Sequence, residues 1–154
     1  MPEVSVLVPC YNHAHYLPFS IKSVLGQVFE DWEAIIIDDG STDDTQSVAA
    51  RYTDMDSRVR YIYQENQGLS AARNAGIRAA RGRFLALLDA DDEWDSDFLS
   101  CCVSVMEANR DPKVVGVYST HAFIDTDGNV LPQPGNKVVE PERLPDVLLD
   151  GNFF

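Results

Sequence analysis

The chain has 154 residues, near the commonest length for one domain, and its 45% hydrophobic and 24% charged residues match soluble globular averages. That composition argues against a disordered or fibrous chain and favours one buried core. A formal net charge of -13 repels phosphate backbones and anionic lipid, so nucleic acid is not an expected partner.

Val4 to Val8 is an apolar run closed by Pro9, which reads as a strand buried on both faces, as in parallel sheets. Leu17, Ile21, Val24, Leu25 and Val28 then fall on one helical stripe, with Pro18 tolerated in the first turn. Ala34 to Ile37 is a second strand closing on Asp38-Asp39-Gly40-Ser41. Thr42 or Asp43 is placed to cap a helix running to about Tyr52. Val59 to Tyr63 is a third strand, followed by a polar loop from Gln64 to Gly68 and a helix from about Ser70 to Ala80, which Gly82 closes.

Phe84 to Leu88 reads as a fourth buried strand ending in Asp89. A helix starting at Asp95 or Ser96 buries Phe98, Leu99, Cys102, Val105 and Met106. Val114 to Phe123 is expected to be a fifth strand, and Asp125-Thr126-Asp127-Gly128-Asn129 a hairpin turn before Val130 and Leu131. The stretch from Pro132 to Pro145 is Pro-rich and weakly patterned, and a short helix is expected around Leu144 to Leu149, ending at Gly151. Alternating strands and helices imply an α/β fold with a doubly wound, mainly parallel sheet and a C-terminal antiparallel hairpin, as one domain over residues 1–154.

The three cysteines, Cys10, Cys101 and Cys102, show no zinc-site spacing, and reduced thiols in a cytoplasmic protein are expected. No secretory leader or run of about 18 apolar residues is present, so no membrane span is expected. The sequence stops at Asn152-Phe153-Phe154 without a polar tail, the pattern of a chain cut inside a larger domain. That apolar end leads us to expect a homodimer burying it.

Ligands of open α/β sheets bind beyond the carboxyl ends of the strands, where the polar residues of this chain collect. Asp89 and Asp91, one residue apart after the fourth strand, are able to converge on one hard cation, Mg²⁺ or Mn²⁺, with positions left for substrate phosphates. The competing reading makes the acids from Asp91 to Asp97 a helix-entry turn favoured by the dipole. It explains the later acids well and Asp89 poorly, because Asp89 abuts Phe-Leu-Ala-Leu-Leu. From Phe84 onward there are 14 acidic and 4 basic residues, against 11 and 8 before it, so cations are more welcome in the second part.

Of Asp38 and Asp39, one is expected to turn the backbone while the other accepts hydrogen bonds from a nucleobase edge. Gly68 to Gly76 combines small residues with Arg73 at a helix start, where an Arg is able to pair with a diphosphate. Arg78, Arg81 and Arg83 read as a solvated basic face, His13 and His15 as loop polar residues, and His121 as a strand residue without a role.

Four segments in order carry a more specific resemblance: Val-Ser-Val-Leu-Val-Pro-Cys-Tyr-Asn, Ile-Ile-Asp-Asp-Gly-Ser-Thr-Asp, Asn-Gln-Gly-Leu-Ser-Ala-Ala-Arg-Asn-Ala-Gly and Leu-Leu-Asp-Ala-Asp-Asp. Together they resemble the family 2 inverting glycosyltransferases of the GT-A fold, strongly from Val4 to about Phe123. The resemblance implies that Pro9 and Tyr11 frame a base and that Asp39 hydrogen-bonds it, usually a uracil. It also implies that Arg73 and Gly68 belong to a donor-contacting loop, that Asp89 lies near ribose and metal, and that Asp91 ligates the metal. The implied partners are a nucleotide-diphospho-sugar donor and an acceptor of unknown identity, with Mn²⁺ or Mg²⁺ as cofactor. The implied reaction is single displacement, an acceptor hydroxyl losing its proton to a carboxylate. That base is expected beyond Phe154, because none of Asp125, Asp127, Asp146 and Asp150 matches it.

Three other readings compete with this one. A nucleotidyltransferase should carry its Gly-rich basic loop after strand one, where Pro9-Cys10-Tyr11-Asn12 stands instead. A phosphoacceptor signalling domain should carry its acidic pair there. A non-catalytic nucleotide-binding module is kept alive by the missing base.

Overall fold

The computed structural model describes residues 1–125 and 128–131. It divides into two compact units, Met1–Val114 and Val115 onward, which are described separately. The first unit runs β1 (Val4–Cys10), α1 (Leu17–Leu25), β2 (Trp32–Asp39), α2 (Thr45–Met55), β3 (Val59–Gln64), α3 (Leu69–Ala79), β4 (Phe84–Leu87) and α4 (Phe98–Ala108). Its four strands form one sheet in the order β3-β2-β1-β4, every pairing parallel.

β1 and β2 are buried along their whole length, which is why their apolar runs do not alternate with polar residues. Val4, Val6, Val8 and Ile36 face one core with Leu17, Ile21 and Val24 of α1 and Leu99 and Val103 of α4. Leu7, Ile35 and Ile37 face the opposite side with Ala72 of α3. Each fully buried Leu or Ile here contributes about 1.5–3 kcal/mol relative to exposure, so the two-faced core carries the sheet. The doubly wound parallel sheet expected from the sequence is therefore present.

Several local expectations need correction. α1 ends at Leu25, the chain turns at Gly26, and Val28 is left exposed while Gln27 takes the inward position. Gln27 is buried because its amide is fully used: Nε2 donates to Ser23 O (3.1 Å) and Asp95 O (2.7 Å), and Oε1 accepts from Leu99 N (2.9 Å). It thereby caps α4 from the end of α1. Along α4, Val103 rather than Val105 joins the buried stripe. α2 begins at Thr45, slightly later than expected; Asp43 still serves its start, Oδ1 accepting from Thr45 N (3.0 Å), while Oδ2 joins it to the loop after β1.

Gly82 does not close α3, which ends at Ala79. It is needed for close approach, since a Cβ there would lie 2.5 Å from Ser5 N and 2.7 Å from Val4 C. Around it a buried polar network closes the end of the sheet away from the strand carboxyl termini. Glu33 accepts from Ser5 Oγ (2.8 Å), Arg60 Nη1 (2.8 Å) and Arg81 N (2.7 Å), while Ser5 Oγ accepts from Gly82 N (2.8 Å).

β4 is not buried on both sides. Phe84 and Ala86 face the first core, but Leu85 and Leu87 are 48% and 52% exposed, because among the described residues β4 is an edge strand with no helix over that face. In the second unit the fifth strand expected over 114–123 is not formed. A lone segment has no ladder to satisfy its backbone, and among the described residues no strand pairs with it. The hairpin signal is seen as one antiparallel bridge, Ile124 with Val130. It is supported by Asp125 N donating to Asn129 O (3.0 Å) and Leu131 N to Phe123 O (2.8 Å). His121 is accordingly a loop residue, edge-on to Phe123. Asp127, Asp146, Asp150, the Pro132–Pro145 stretch, the Leu144–Leu149 helix and Phe153 and Phe154 lie outside the described residues. No helix among the described residues is long and apolar enough to cross a membrane.

Candidate nucleotide and metal site

All four strands of the first unit, being parallel, deliver their loops to one end of the sheet. Where β1 stops, Asn12 takes a left-handed conformation (φ +56°), which a short polar side chain tolerates better than most. Its N–H donates to Ser41 Oγ (2.9 Å), and its Oδ1 accepts from Thr42 N (2.7 Å). Asp43 Oδ2 accepts from Ala14 N (3.0 Å). The loops after β1 and β2 are thus stapled together, and Tyr11 stands exposed beside them.

The structure divides the work of the two acids after β2. Asp38 turns the backbone: Oδ1 accepts from Ser41 N (2.8 Å) and Oδ2 from the Tyr61 hydroxyl (2.7 Å). Burial and that bond push the Tyr61 hydroxyl pKa well up. Asp39 points the other way, toward the loop after β3. Oδ1 accepts from Gln64 Nε2 (2.6 Å) and Gln67 N (3.0 Å), and Oδ2 accepts from Gly68 N (2.8 Å). Gly68 takes φ +85°, the left-handed turn that aims its N–H at the carboxylate.

Burial works to raise the pKa of Asp39, but hydrogen bonds from Gln67, Gln64 and Gly68 outweigh it and hold the carboxyl below the ordinary range. Glu33 is lowered in the same way, burial opposing and Ser5, Arg60 and Arg81 prevailing. Depressed folded pKa values contribute stability that is complete above the unfolded values, about 3.9 for Asp and 4.3 for Glu. It is lost as pH falls through the lower folded values. The melting temperature should therefore hold steady from about pH 7 to about pH 5 and fall progressively below about pH 4. A pH-independent melt down to pH 3 would contradict these assignments.

After β4, Leu88 N donates to Leu7 O (3.0 Å), fixing the point where the chain leaves the sheet. Ala90 is anchored in the core between Asp89 and Asp91. Asp89 Oδ1 accepts from Arg73 Nη2 (2.9 Å), and Arg73 Nε is buried with no hydrogen-bond partner among the described residues. Asp91 is exposed. Through Gln27, α1 holds the far end of this acidic loop where α4 begins.

Pro9, Tyr11, Asp39, Gly68, Asp89 and Asp91 line one cleft of about 450 Å³. Arg73 stands behind Asp89 and reaches the cleft through it. Cys10, His13, Asn66, Leu69, Ala72 and Ala90 complete the lining, and the sequence assigns none of them a binding role. Burial pushes the Cys10 thiol up to about 11, so it is protonated at neutral pH and inert. Arg78, Arg81 and Arg83 are all exposed.

The donor set fits a hard cation of limited protein coordination. Of the three carboxylates lining the cleft, Asp39 is taken up by its loop and Asp89 and Asp91 remain as a pair, and no group of three or more His, Cys, Asp or Glu placed to hold a metal is found among the described residues. Mg²⁺ and Mn²⁺ suit such a site, because they keep coordination positions for phosphate and water.

Comparison with known proteins agrees with this arrangement. The chain is 34% identical over 154 residues to the chondroitin synthase of Escherichia coli, which covers 99% of this chain and 22% of that protein. Two solved structures share its fold. S. aureus TarS 1-349 in complex with UDP-GlcNAc has a TM-score of 0.64 at 27% identity, over 70% of this chain and 31% of that one. The mannosyltransferase PcManGT from Pyrobaculum calidifontis, in complex with GDP-Man and Mn²⁺, has a TM-score of 0.67 at 28% identity, over 73% and 34%. Both neighbours are GT-A glycosyltransferases. The chain spans between 18% and 60% of the length of the curated relatives it matches. The model of the family described as glycosyl transferase family 2 matches residues 5–144, and the chain belongs to that family.

Proposed function

We propose that this chain is the donor-binding part of a metal-dependent glycosyltransferase that takes a sugar from a nucleotide-diphospho-sugar, a UDP-sugar, and delivers it to an acceptor hydroxyl with inversion. The observation that carries the reading is the convergence, in one cleft, of a hydrogen-bonded buried carboxylate, Asp39, with the pair Asp89 and Asp91. The neighbours' bound ligands, UDP-GlcNAc in one and GDP-Man with Mn²⁺ in the other, support it by analogy of fold.

In this reading Pro9 and Tyr11 frame the base, and Asp39 accepts from its imino N–H. Arg73, one turn into α3 and behind Asp89, supplies positive charge toward the diphosphate, aided by the helix N-terminus. Asp89 and Asp91 would hold Mn²⁺ or Mg²⁺, which when bound offsets negative charge on the departing diphosphate. The cleft residues orient the donor, which is the larger part of what a binding domain contributes to rate. No described residue is assigned as the base.

Asp39→Ala should weaken UDP binding by about 1–3 kcal/mol, the cost of leaving a desolvated N–H without its acceptor. Calorimetry with UDP and CDP reads this, with a thermal melt to separate it from loosening of the Gln64–Gly68 loop. A variant that keeps the full preference for UDP over CDP would reduce Asp39 to a loop anchor and remove the base assignment.

A further inference from the structure

We infer that Gln64 is a specificity-determining residue: by occupying one oxygen of Asp39, it limits that carboxylate to a single hydrogen bond from the base and so selects against guanine. This rests on the reading of Asp39 as the base acceptor and concerns which bases that acceptor admits.

A carboxylate offers about four acceptor positions, two on each oxygen. Asp39 Oδ1 already takes Gln64 Nε2 at 2.6 Å and Gln67 N at 3.0 Å, and Oδ2 takes Gly68 N at 2.8 Å. One position is left, on Oδ2. The amide orientation of Gln64 follows from chemistry, since an ionised carboxylate only accepts and Nε2 is the donor of that side chain. Gln64 does not line the cleft; it ends β3 directly opposite Asp39 in the parallel register, so the sheet itself aims one side chain at the other. Of the three bonds on Asp39, two come from backbone N–H groups of the loop that no substitution at those positions other than proline removes. Gln64 supplies the third, and it alone is open to change by a side-chain substitution.

Uracil presents one N–H donor, N3–H, on the edge that faces such a carboxylate. One vacant acceptor position satisfies it. Guanine presents two adjacent donors, N1–H and one N2–H, which a free carboxylate accepts with both oxygens. With Oδ1 filled, the guanine amino group finds no acceptor position there, and a desolvated donor is left unpaired. Cytosine is refused for a different reason: its unprotonated N3 would face the carboxylate lone pairs. Gln64 is thus a positioning residue, which acts on the base only through Asp39.

The test uses the 154-residue chain with Mn²⁺ and three nucleotides: UDP, GDP and inosine 5′-diphosphate, which is GDP without the N2 amino group. In the unaltered chain GDP should bind no better than inosine diphosphate, because its extra donor finds no acceptor. Gln64→Met, similar in length and without a donor, frees the second position on Oδ1. GDP should then gain on both inosine diphosphate and UDP by about tenfold or more, the scale of one hydrogen bond to a charged group. Equal weakening of all three nucleotides by Gln64→Met would show that Gln64 only holds the loop, and would overturn the inference. A tenfold advantage of GDP over inosine diphosphate in the unaltered chain would overturn it without any variant, so a Gln64→Met protein that fails to fold leaves it testable. Failure of the underlying reading looks different: Asp39→Ala would leave the order of the nucleotides unchanged.

Discussion

Replacing Glu33 by Ala should cost about 3–5 kcal/mol, more than any other single change considered, and should lower the melting temperature by about 10 °C or more. Glu33 is 5% exposed and sits where β1, β2, β3 and the turn before β4 meet. Its carboxylate takes Ser5 Oγ, Arg60 Nη1 and Arg81 N. Removing it strands a half-buried guanidinium and the Ser5 hydroxyl, while Arg81 N keeps Ser5 Oγ as an acceptor (3.1 Å), and the loss of an acceptor costs more than the bond itself is worth. Arg60 keeps one bond, to Ala79 O at 3.0 Å, which moderates the effect. Glu33→Gln retains the volume and one good acceptor and should lie between the two. Chemical denaturation of the three proteins measures the series. A loss under about 1 kcal/mol for Glu33→Ala would mean that water enters and satisfies the network.

Asp91→Asn should abolish the gain that Mn²⁺ gives to UDP binding, at least about tenfold in Kd. Loss of a supporting contact to a metal ligand already costs 10–100-fold, and loss of the ligand's charge should cost no less. Asn preserves the shape while the amide oxygen carries no charge to hold a hard cation. Because Asp91 is exposed, the melt should move by no more than about 0.5 kcal/mol. Paired titrations in Mn²⁺ and in EDTA, for both proteins, read the effect. Equal affinity in EDTA for the unaltered chain would remove the metal assignment. Unfolding of Asp91→Asn would return Asp91 to the role of a helix-entry acid.

The fold was largely legible because its two central strands are buried on both faces, and such runs stand out in a sequence. Strand ends were legible for the same reason, since an acid after Ile-Ile-Ile or Leu-Leu has nowhere to go but the sheet's rim. What the sequence hid was partnership across distance. Asp38 and Asp39 are indistinguishable in a string. Only the register opposite Tyr63 and Gln64, and the path of the loop after β3, decide which one turns the chain and which one faces the cleft. Val28 matched a helical period that the turn at Gly26 cuts short, so Gln27 took the buried place through three hydrogen bonds that no periodicity announces. Gly82 looked like a helix stop; its reason is the backbone of β1 less than 3 Å from a Cβ it lacks. The expected strand over 114–123 failed because β-branched composition states a preference and cannot supply a partner.

The strand order β3-β2-β1-β4 has a further consequence. Asp39 leaves the sheet from β2 and Asp89 from β4, with β1 between them, so the two carboxylates hang two interstrand steps apart, roughly 10 Å at about 4.8 Å per step. That interval is fixed by backbone hydrogen bonding, as the marks on a ruler are fixed by the ruler and not by what is measured. Side-chain replacement in the cleft is free to alter which base is admitted or which cation is held. On the proposed function it has no means of altering how far apart base and cation would sit, so a donor bound in that way would carry a linker of one length between them.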